Sequence, residues 1–522
     1  LPLGYGRIGA VFNHIKLKQR LKMKEIFQRL ALGMLLFASS GSFGQAFSKA
    51  EKPNILFILA DDQTFETLGA LNNPEIHTPN LDKLIKQGTC FTQAYIQGSW
   101  QPAVCVASRS SLITGSYVWK AAQYSGKANN ADKNAPKNMP QYAVKRTTPA
   151  GYWPTYMKAA GYETYMAGKW HIEKKPETVF DHLGTIRGGM PSQSEECYDR
   201  KFIEKTPDNW KPYDTSFGGH WQGGKHWSEV LCDETIGFLN QSKKSTNPFF
   251  MYIAFSAPHD PRQSPKKYVD MYGLDKISIP ESYMPSYPYC EEIGAGKSLR
   301  DERLAPFPRS EYAVKVTRQE YYAIVSHLDD QIGRIIAALK ATGQDKNTYI
   351  IFSADNGLAV GDHGFMGKQN MYDRSMRIPL IMVGPHVKQN NKVDEFVYLQ
   401  DIMPTALDIG KAEKPASVDF NSLLPLATGQ TTKSAYKAIY GTYMGTQRMI
   451  RTKQYKMMIY PKANLVRLYN MVDDPFEMHD LAGDPTYKPV MDELYANFKK
   501  LQTEVEDPLD ISSYYNNYFS NK

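Results

Sequence analysis

Asn54-Ile-Leu-Phe-Ile-Leu-Ala60, followed at once by Asp61-Asp62, is the stretch that decides how this chain folds. From Ile55 to Ala60 it is apolar without alternation and polar residues bound it, the pattern of a strand buried on both faces. Three similar runs follow. Pro248-Phe-Phe-Met-Tyr-Ile-Ala-Phe-Ser256 ends near His259, Thr348-Tyr-Ile-Ile-Phe-Ser-Ala354 ends in Asp355-Asn356, and Ile378-Pro-Leu-Ile-Met-Val383 is the last. Helical spacing of apolar residues lies between them, at Thr78 to Lys86, Trp227 to Leu239 and Tyr321 to Leu339. Strands alternating with helices predict an α/β fold with a large, mainly parallel β-sheet flanked by helices. In such sheets ligands gather at the carboxyl ends of the strands. Three of these strands end in acids, an amide or an imidazole, which places those groups in one site.

From about residue 430 the pattern changes. Ala438-Ile-Tyr440, Arg448-Met-Ile-Arg451, Tyr455-Lys-Met-Met-Ile-Tyr460 and Leu465-Val-Arg-Leu-Tyr469 are short runs separated by turns, and a last helix is expected near Val490 to Val505. They predict a smaller C-terminal α+β subdomain with an antiparallel sheet over residues 431–522, behind a catalytic α/β domain over 51–430. Residues 120–150, 185–225 and 263–318, rich in Gly, Pro, Asn, Lys and aromatics, read as long loops of the kind that shape a pocket. No internal repeat is visible.

The net charge of +8 misleads, because residues 1–22 carry five basic residues and no acid. Met23-Lys-Glu-Ile-Phe-Gln-Arg29, then Leu30 to Ala38, then Ser39 to Ala46 have the charged start, short apolar core and small-residue end of a signal peptide over 23–46. Residues 1–22 then read as an over-extended N-terminus. The apolar core is too short for a comfortable membrane span, so export to the periplasm or medium is expected, without a stable membrane anchor. Setting that leader aside leaves a net charge of only +2, too small to support nucleic-acid binding. The five cysteines, Cys90, Cys105, Cys197, Cys232 and Cys290, show no CxxC spacing, which argues against zinc or a redox pair and leaves any disulfide pairing open.

Singly, the polar motifs are ordinary. Asp61-Asp62 suits a solvated turn and Asn356-Gly357 a hairpin; Lys169 and His171 suit a surface, and His259 a satisfied histidine beside a proline. Together, Asp61, Asp62, Asp355 and Asn356 offer oxygen donors only, the set for calcium or magnesium. A divalent ion offsets the mutual repulsion of the acids and can act as Lewis acid.

Cys105-Val-Ala-Ser-Arg109-Ser-Ser-Leu-Ile-Thr114-Gly115 is the most specific motif. With Pro53 to Asp62, Gly168-Lys-Trp-His171, Ala257-Pro-His259, Ser353 to Gly357, Gly361-Asp-His-Gly364, Gly367 to Asp373 and Leu468 to Glu477, it resembles the type I, formylglycine-dependent sulfatases of the alkaline-phosphatase superfamily. That resemblance implies that Cys105 is oxidised to formylglycine (3-oxoalanine), whose hydrate attacks a sulfate ester. It implies that Asp61, Asp62, Asp355, Asn356 and the modified residue 105 hold a divalent cation, calcium or in its place magnesium. Arg109 would steady the hydrate, Lys169 and Lys368 grip the sulfate, His171 take a proton from the second hydroxyl, and His259, with Lys368, protonate the leaving alcohol. His363 is a further candidate substrate residue, with loop bracing as its other reading. His220, Trp221, His226 and Trp227 are candidates to face a sugar.

Ala107 stands where many relatives carry proline, a position at which anaerobic radical-type maturases accept alanine. The expected partners are therefore a sulfated carbohydrate and an anaerobic-type sulfatase-maturating enzyme. The rival readings are a phosphodiesterase or phosphonate hydrolase of the same superfamily, and a non-catalytic protein that binds sulfated glycans.

Overall fold

The Asn54–Ala60 run forms strand β1, buried along its whole length inside a 9-stranded sheet. The computed structural model describes residues 52–125, 147–191, 194–206 and 208–520; the expected leader, 1–22 and 23–46, lies outside them. The other strands are β2 (Thr89–Tyr95), β3 (Glu163–Lys169), β4 (His182–Arg187), β5 (Phe249–Ala254), β6 (Thr348–Ala354), β7 (Arg377–Ile378), β8 (Leu380–Val383) and β9 (Asn391–Tyr398). They lie side by side as β7-β2-β8-β6-β1-β5-β3-β4, with β9 pairing β2. β1 runs parallel to β5 and β6, and β3 parallel to β4 and β5. The fold is thus the expected one, mainly parallel and flanked by helices, because an apolar run with no polar face must be covered on both sides. Fully burying each Ile, Leu or Phe of these strands contributes roughly 1.5–3 kcal/mol relative to leaving it exposed.

Two details depart from the sequence reading. The fourth apolar run is broken at Pro379 into β7 and β8, since proline has no N–H for the ladder, and β8 runs antiparallel to β6. Helix Glu311–Thr342 is longer than the expected Tyr321 to Leu339. Its start lies within a stretch read as loop, where the Ser310 side chain caps the Ala313 N–H, and Gly343 stops it at φ 77°. Of the residues 120–150 read as loop, Lys120 to Ser125 belong to helix Val118–Ser125.

Topology fixes the place of the site. The chain leaves β1 for β2 on one side of it, then crosses to β3 on the other, and a cleft opens at the carboxyl ends where such a reversal occurs. Register aligns those ends: Ala60 sits opposite Ala354, Leu59 opposite Ala254, and Ala254 opposite Gly168. The next residues are therefore level across four strands.

A second, 5-stranded sheet holds Ile439–Tyr443, Gln447–Arg451, Tyr455–Tyr460 and Leu465–Asn470 as the expected antiparallel meander, with the two-residue strand Gly98–Ser99 added at its edge in parallel. Helix Lys488–Glu504 follows. Buried Lys456 of this sheet pairs with Asp373 at 2.9 Å and Glu477 at 2.6 Å, and the Asp373 N–H donates to Glu477 at 2.8 Å. The late Asp474-Pro-Phe-Glu477 motif thereby braces the loop that carries Lys368. Among the described residues no helix is long and apolar enough to cross a membrane.

Candidate active site

Asp61 and Asp62 emerge from β1 into a backbone held by neighbouring strand ends. The Asp61 N–H donates to Ala257 O at 3.1 Å, and Asp355 N–H to Ala60 O at 3.2 Å. Asp62 turns into the left-handed region at φ 66°, which aspartate tolerates better than most residues. Its N–H donates to Asp355 Oδ1 at 3.2 Å, and its Oδ1 accepts from Asn356 Nδ2 at 2.7 Å. Helix Val104–Thr114 brings Cys105 to them in its first turn, with Sγ 3.7 Å from Asp62 Oδ1. Ligand atoms of Asp61, Asp62, Cys105 and His259 all lie within 4.8 Å of one another.

Three basic side chains enclose these acids. Arg109, one helical turn beyond Cys105, donates from Nε to Asp355 Oδ2 at 2.7 Å and from Nη1 to Lys169 O at 2.7 Å. Lys169 Nζ is paired with Asp61. Lys368 Nζ reaches both oxygens of Asp62, at 2.8 and 2.6 Å. The repulsion expected among the acids is therefore already offset by neighbouring cations. Asp61, Asp62, Asp355, Asn356, Cys105, Arg109, Lys169, His259 and Lys368 are all buried, so these charges act on one another with little screening by water.

Burial and the nearby Asp355 push the Asp61 carboxyl up to about 6, against the pull of Lys169. Burial would also raise Asp355, but Arg109 and Lys169 outweigh it and hold that carboxyl well below the usual range. Burial drives the Cys105 thiol well above its ordinary value despite Lys169 and Lys368. An unmodified Cys105 is therefore a protonated, weak nucleophile. Burial, then Lys169 and Arg109, lower His171 to about 2, so its ring is neutral at neutral pH. Its Nδ1 is buried without a hydrogen-bond partner. Burial alone would lower His259, but Asp260 and Asp62 overcome it and raise it.

Asp61 Oδ1 and Asn356 Oδ1 are buried acceptors without a hydrogen-bond donor. Such orphaned oxygens are costly unless something satisfies them. With the other oxygens of Asp62 and Asp355, they fit a hard divalent cation.

Gly168 sets how closely β3 approaches β5. It sits at φ 94°, and a Cβ there would lie 1.9 Å from Ala254 O. Gly168→Ala is expected to cost about 1–3 kcal/mol and to displace Lys169, lowering both the melting temperature and turnover. Unchanged melting and kinetics would show that this approach is unimportant.

Not every candidate joins the cluster. His363 Nε2 donates to Glu477 O at 3.0 Å and its ring stacks on Tyr372 at 3.7 Å; these contacts brace the loop. His220 and His226 are buried, bonded to the backbone carbonyls of His259 at 3.1 Å and Gln263 at 3.0 Å. Trp227 lies under Arg187, 3.8 Å from ring centre to guanidinium. All five cysteines are free and buried. Conversely, Asp260, Asp301, Tyr198 and Arg300 touch the site and were not anticipated. Asp260 was visible beside His259, but the other three come from loops without periodic signal.

A parallel sheet whose strand ends hold buried acids, a helix-borne cysteine and a ring of cationic side chains defines a hydrolase of anionic esters. The chain belongs to the sulfatase family, whose profile matches residues 53–412, and is a sulfuric ester hydrolase. The profile described as N-sulphoglucosamine sulphohydrolase, C-terminal, matches residues 361–504. An arylsulfatase of Clostridium perfringens is 28% identical over 473 residues, covering 85% of this chain and 93% of its own. A protein solved with its substrate D-glucosamine-2-N,6-O-disulfate has a similar fold, with TM-score 0.67, 22% identity, and coverage of 88% and 99%. A phosphonate monoester hydrolase of Silicibacter pomeroyi gives 0.69 at 20% identity, covering 88% and 97%.

Proposed function

We propose that this protein is an exported carbohydrate sulfatase, acting on polysaccharide or glycosaminoglycan fragments through a formylglycine made from Cys105. The observation that carries the reading is the cluster of Asp61, Asp62, Cys105 and His259 within 4.8 Å, deep at the sheet's carboxyl edge. The sulfated glucosamine bound by one structural neighbour and the sulphohydrolase profile at the C-terminal end support a sugar ester as substrate.

Formylglycine, once formed and hydrated, supplies an attacking oxygen that the buried thiol lacks. Asp61, Asp62, Asp355 and Asn356 would hold a divalent cation, calcium or magnesium, which supplies Lewis acidity toward a sulfate oxygen. The acids balance Arg109, Lys169 and Lys368 in formal charge, so the loaded pocket is net positive and suited to an anionic ester. Lys169 and Lys368 then serve the sulfate oxygens, and Arg109 steadies residue 105. His171 takes the proton from the second hydroxyl of the hydrate, which expels sulfate and restores the aldehyde. His259 donates one to the leaving oxygen, worth about 10²–10⁴-fold for a poorly leaving sugar alkoxide.

The test is release of sulfate from defined sulfated mono- and oligosaccharides by protein co-expressed with an anaerobic-type maturase, beside phosphate and phosphonate esters. Sulfate release from a sugar is expected. Turnover confined to phosphorus esters, or binding of sulfated sugars without turnover, would overturn the reading.

A further inference from the structure

His259 does not stand alone behind the cluster. Its Nε2 lies 3.6 Å from Asp62 Oδ2, facing the acids and Cys105. Its Nδ1 faces the other way, 2.9 Å from Asp260 O and 3.0 Å from Asp260 Oδ1. Both neighbours of Nδ1 are acceptors, so this nitrogen carries its proton. Asp260 is itself buried and fixed from two sides. Tyr198 O–H donates to its Oδ2, and Arg300 Nε stands 3.6 Å from the same oxygen. Arg300 also pairs with Asp301, which lies 3.6 Å from Lys368 Nζ and accepts from Gln369 Nε2 at 2.8 Å.

From this geometry we infer that Asp260, held by Tyr198 and Arg300, is the positioning residue that aims His259 at the leaving oxygen of the ester. The inference rests on the reading of His259 as proton donor. As the bond from sulfur to the leaving oxygen breaks, its electron pair stays on that oxygen and the Nε2 proton moves to it. The attacking oxygen, the alkoxide of the residue-105 hydrate, meanwhile bonds to sulfur. His259 is left neutral, still donating Nδ1–H to Asp260. A carboxylate behind the imidazole accepts from Nδ1 and fixes the orientation of the ring, keeping Nε2 turned toward the cluster, the same physical service that carboxylates behind the ring give other functional histidines. Arg300 bridges Asp260 and Asp301, so one guanidinium on the 300–304 helical turn secures the supports of both His259 and Lys368.

The consequence can be read in the leaving group. An ester whose leaving group departs readily as an anion needs little proton donation; a poorly leaving one needs much. Asp260→Asn keeps the shape and removes the charge. Matured wild-type and Asp260→Asn protein are compared on a series of aryl sulfates from 4-nitrophenyl to unsubstituted phenyl sulfate, with any sulfated sugar the wild type accepts. The expected loss in kcat is under about 3-fold on 4-nitrophenyl sulfate and grows to about 10²-fold on the poorest leaving group, with KM little changed. Tyr198→Phe, which deletes one hydroxyl and no charge, is expected to steepen the same dependence by a smaller amount. It decides the matter if Asp260→Asn melts too early to assay. A uniform loss across the series in folded protein, or a loss in KM alone, would overturn the assignment. If wild-type protein hydrolyses the aryl series but no sugar sulfate, the proposed substrate class fails while the role of Asp260 is still tested.

Discussion

Replacing Cys105 by alanine in protein matured by co-expression is expected to remove sulfate ester turnover altogether, a loss of at least about 10⁴-fold in kcat/KM. Cys105 is buried, and its thiol makes a long polar contact, 3.7 Å, to Asp62 Oδ1. Its removal should therefore leave the melting temperature almost where it was, separating chemistry from stability. Mass spectrometry of the active wild type should show the peptide bearing residue 105 with an aldehyde in place of the thiol. Residual turnover in Cys105→Ala, or an unmodified thiol in fully active protein, would remove the proposed nucleophile.

Asp62→Asn is expected to cost at least about 10³-fold in kcat/KM and to abolish calcium binding measured by titration calorimetry. Asparagine suits the left-handed backbone at φ 66° nearly as well as aspartate, so this change tests charge rather than conformation. Asp62 is the meeting point of the site. It accepts from Lys368 through both oxygens and from Asn356, and it faces His259. Neutralising it leaves Lys368 with Asp301 at 3.6 Å as its remaining carboxylate and removes one oxygen charge from the cation cradle. In the wild type, chelation should abolish turnover, and added calcium or magnesium should restore it. Full activity in Asp62→Asn without bound cation would rule out the metal-assisted reading.

The central strands and the residues that end them were readable because both signals are local. A continuous apolar run can only be a doubly covered strand or part of a buried helix, and its length and flanks chose the strand. The helices at Pro79–Gln87, Trp227–Ser242 and Lys488–Glu504 were equally visible in their spacing. The break at Pro379 was also written in the sequence, but the reversed direction of β8 was not, because direction depends on which strand it meets. His363 shows the opposite limit. A histidine in a Gly-Asp-His-Gly turn reads the same whether it faces a ligand or, as here, stacks on Tyr372 and caps a carbonyl 114 residues away in sequence.

By itself, then, the sequence determined a parallel α/β sheet, the acids at its carboxyl edge, and the cysteine and basic residues around them, since periodicity and motif are properties of neighbours along the chain. Tertiary structure alone decided that Lys169 and Lys368 neutralise Asp61 and Asp62, that Tyr198 and Arg300 hold Asp260 and Asp301 stands behind Lys368, and that His363 braces a loop. Those are contacts between segments tens to hundreds of residues apart, fixed by packing, and charge and burial take their values only once that packing exists.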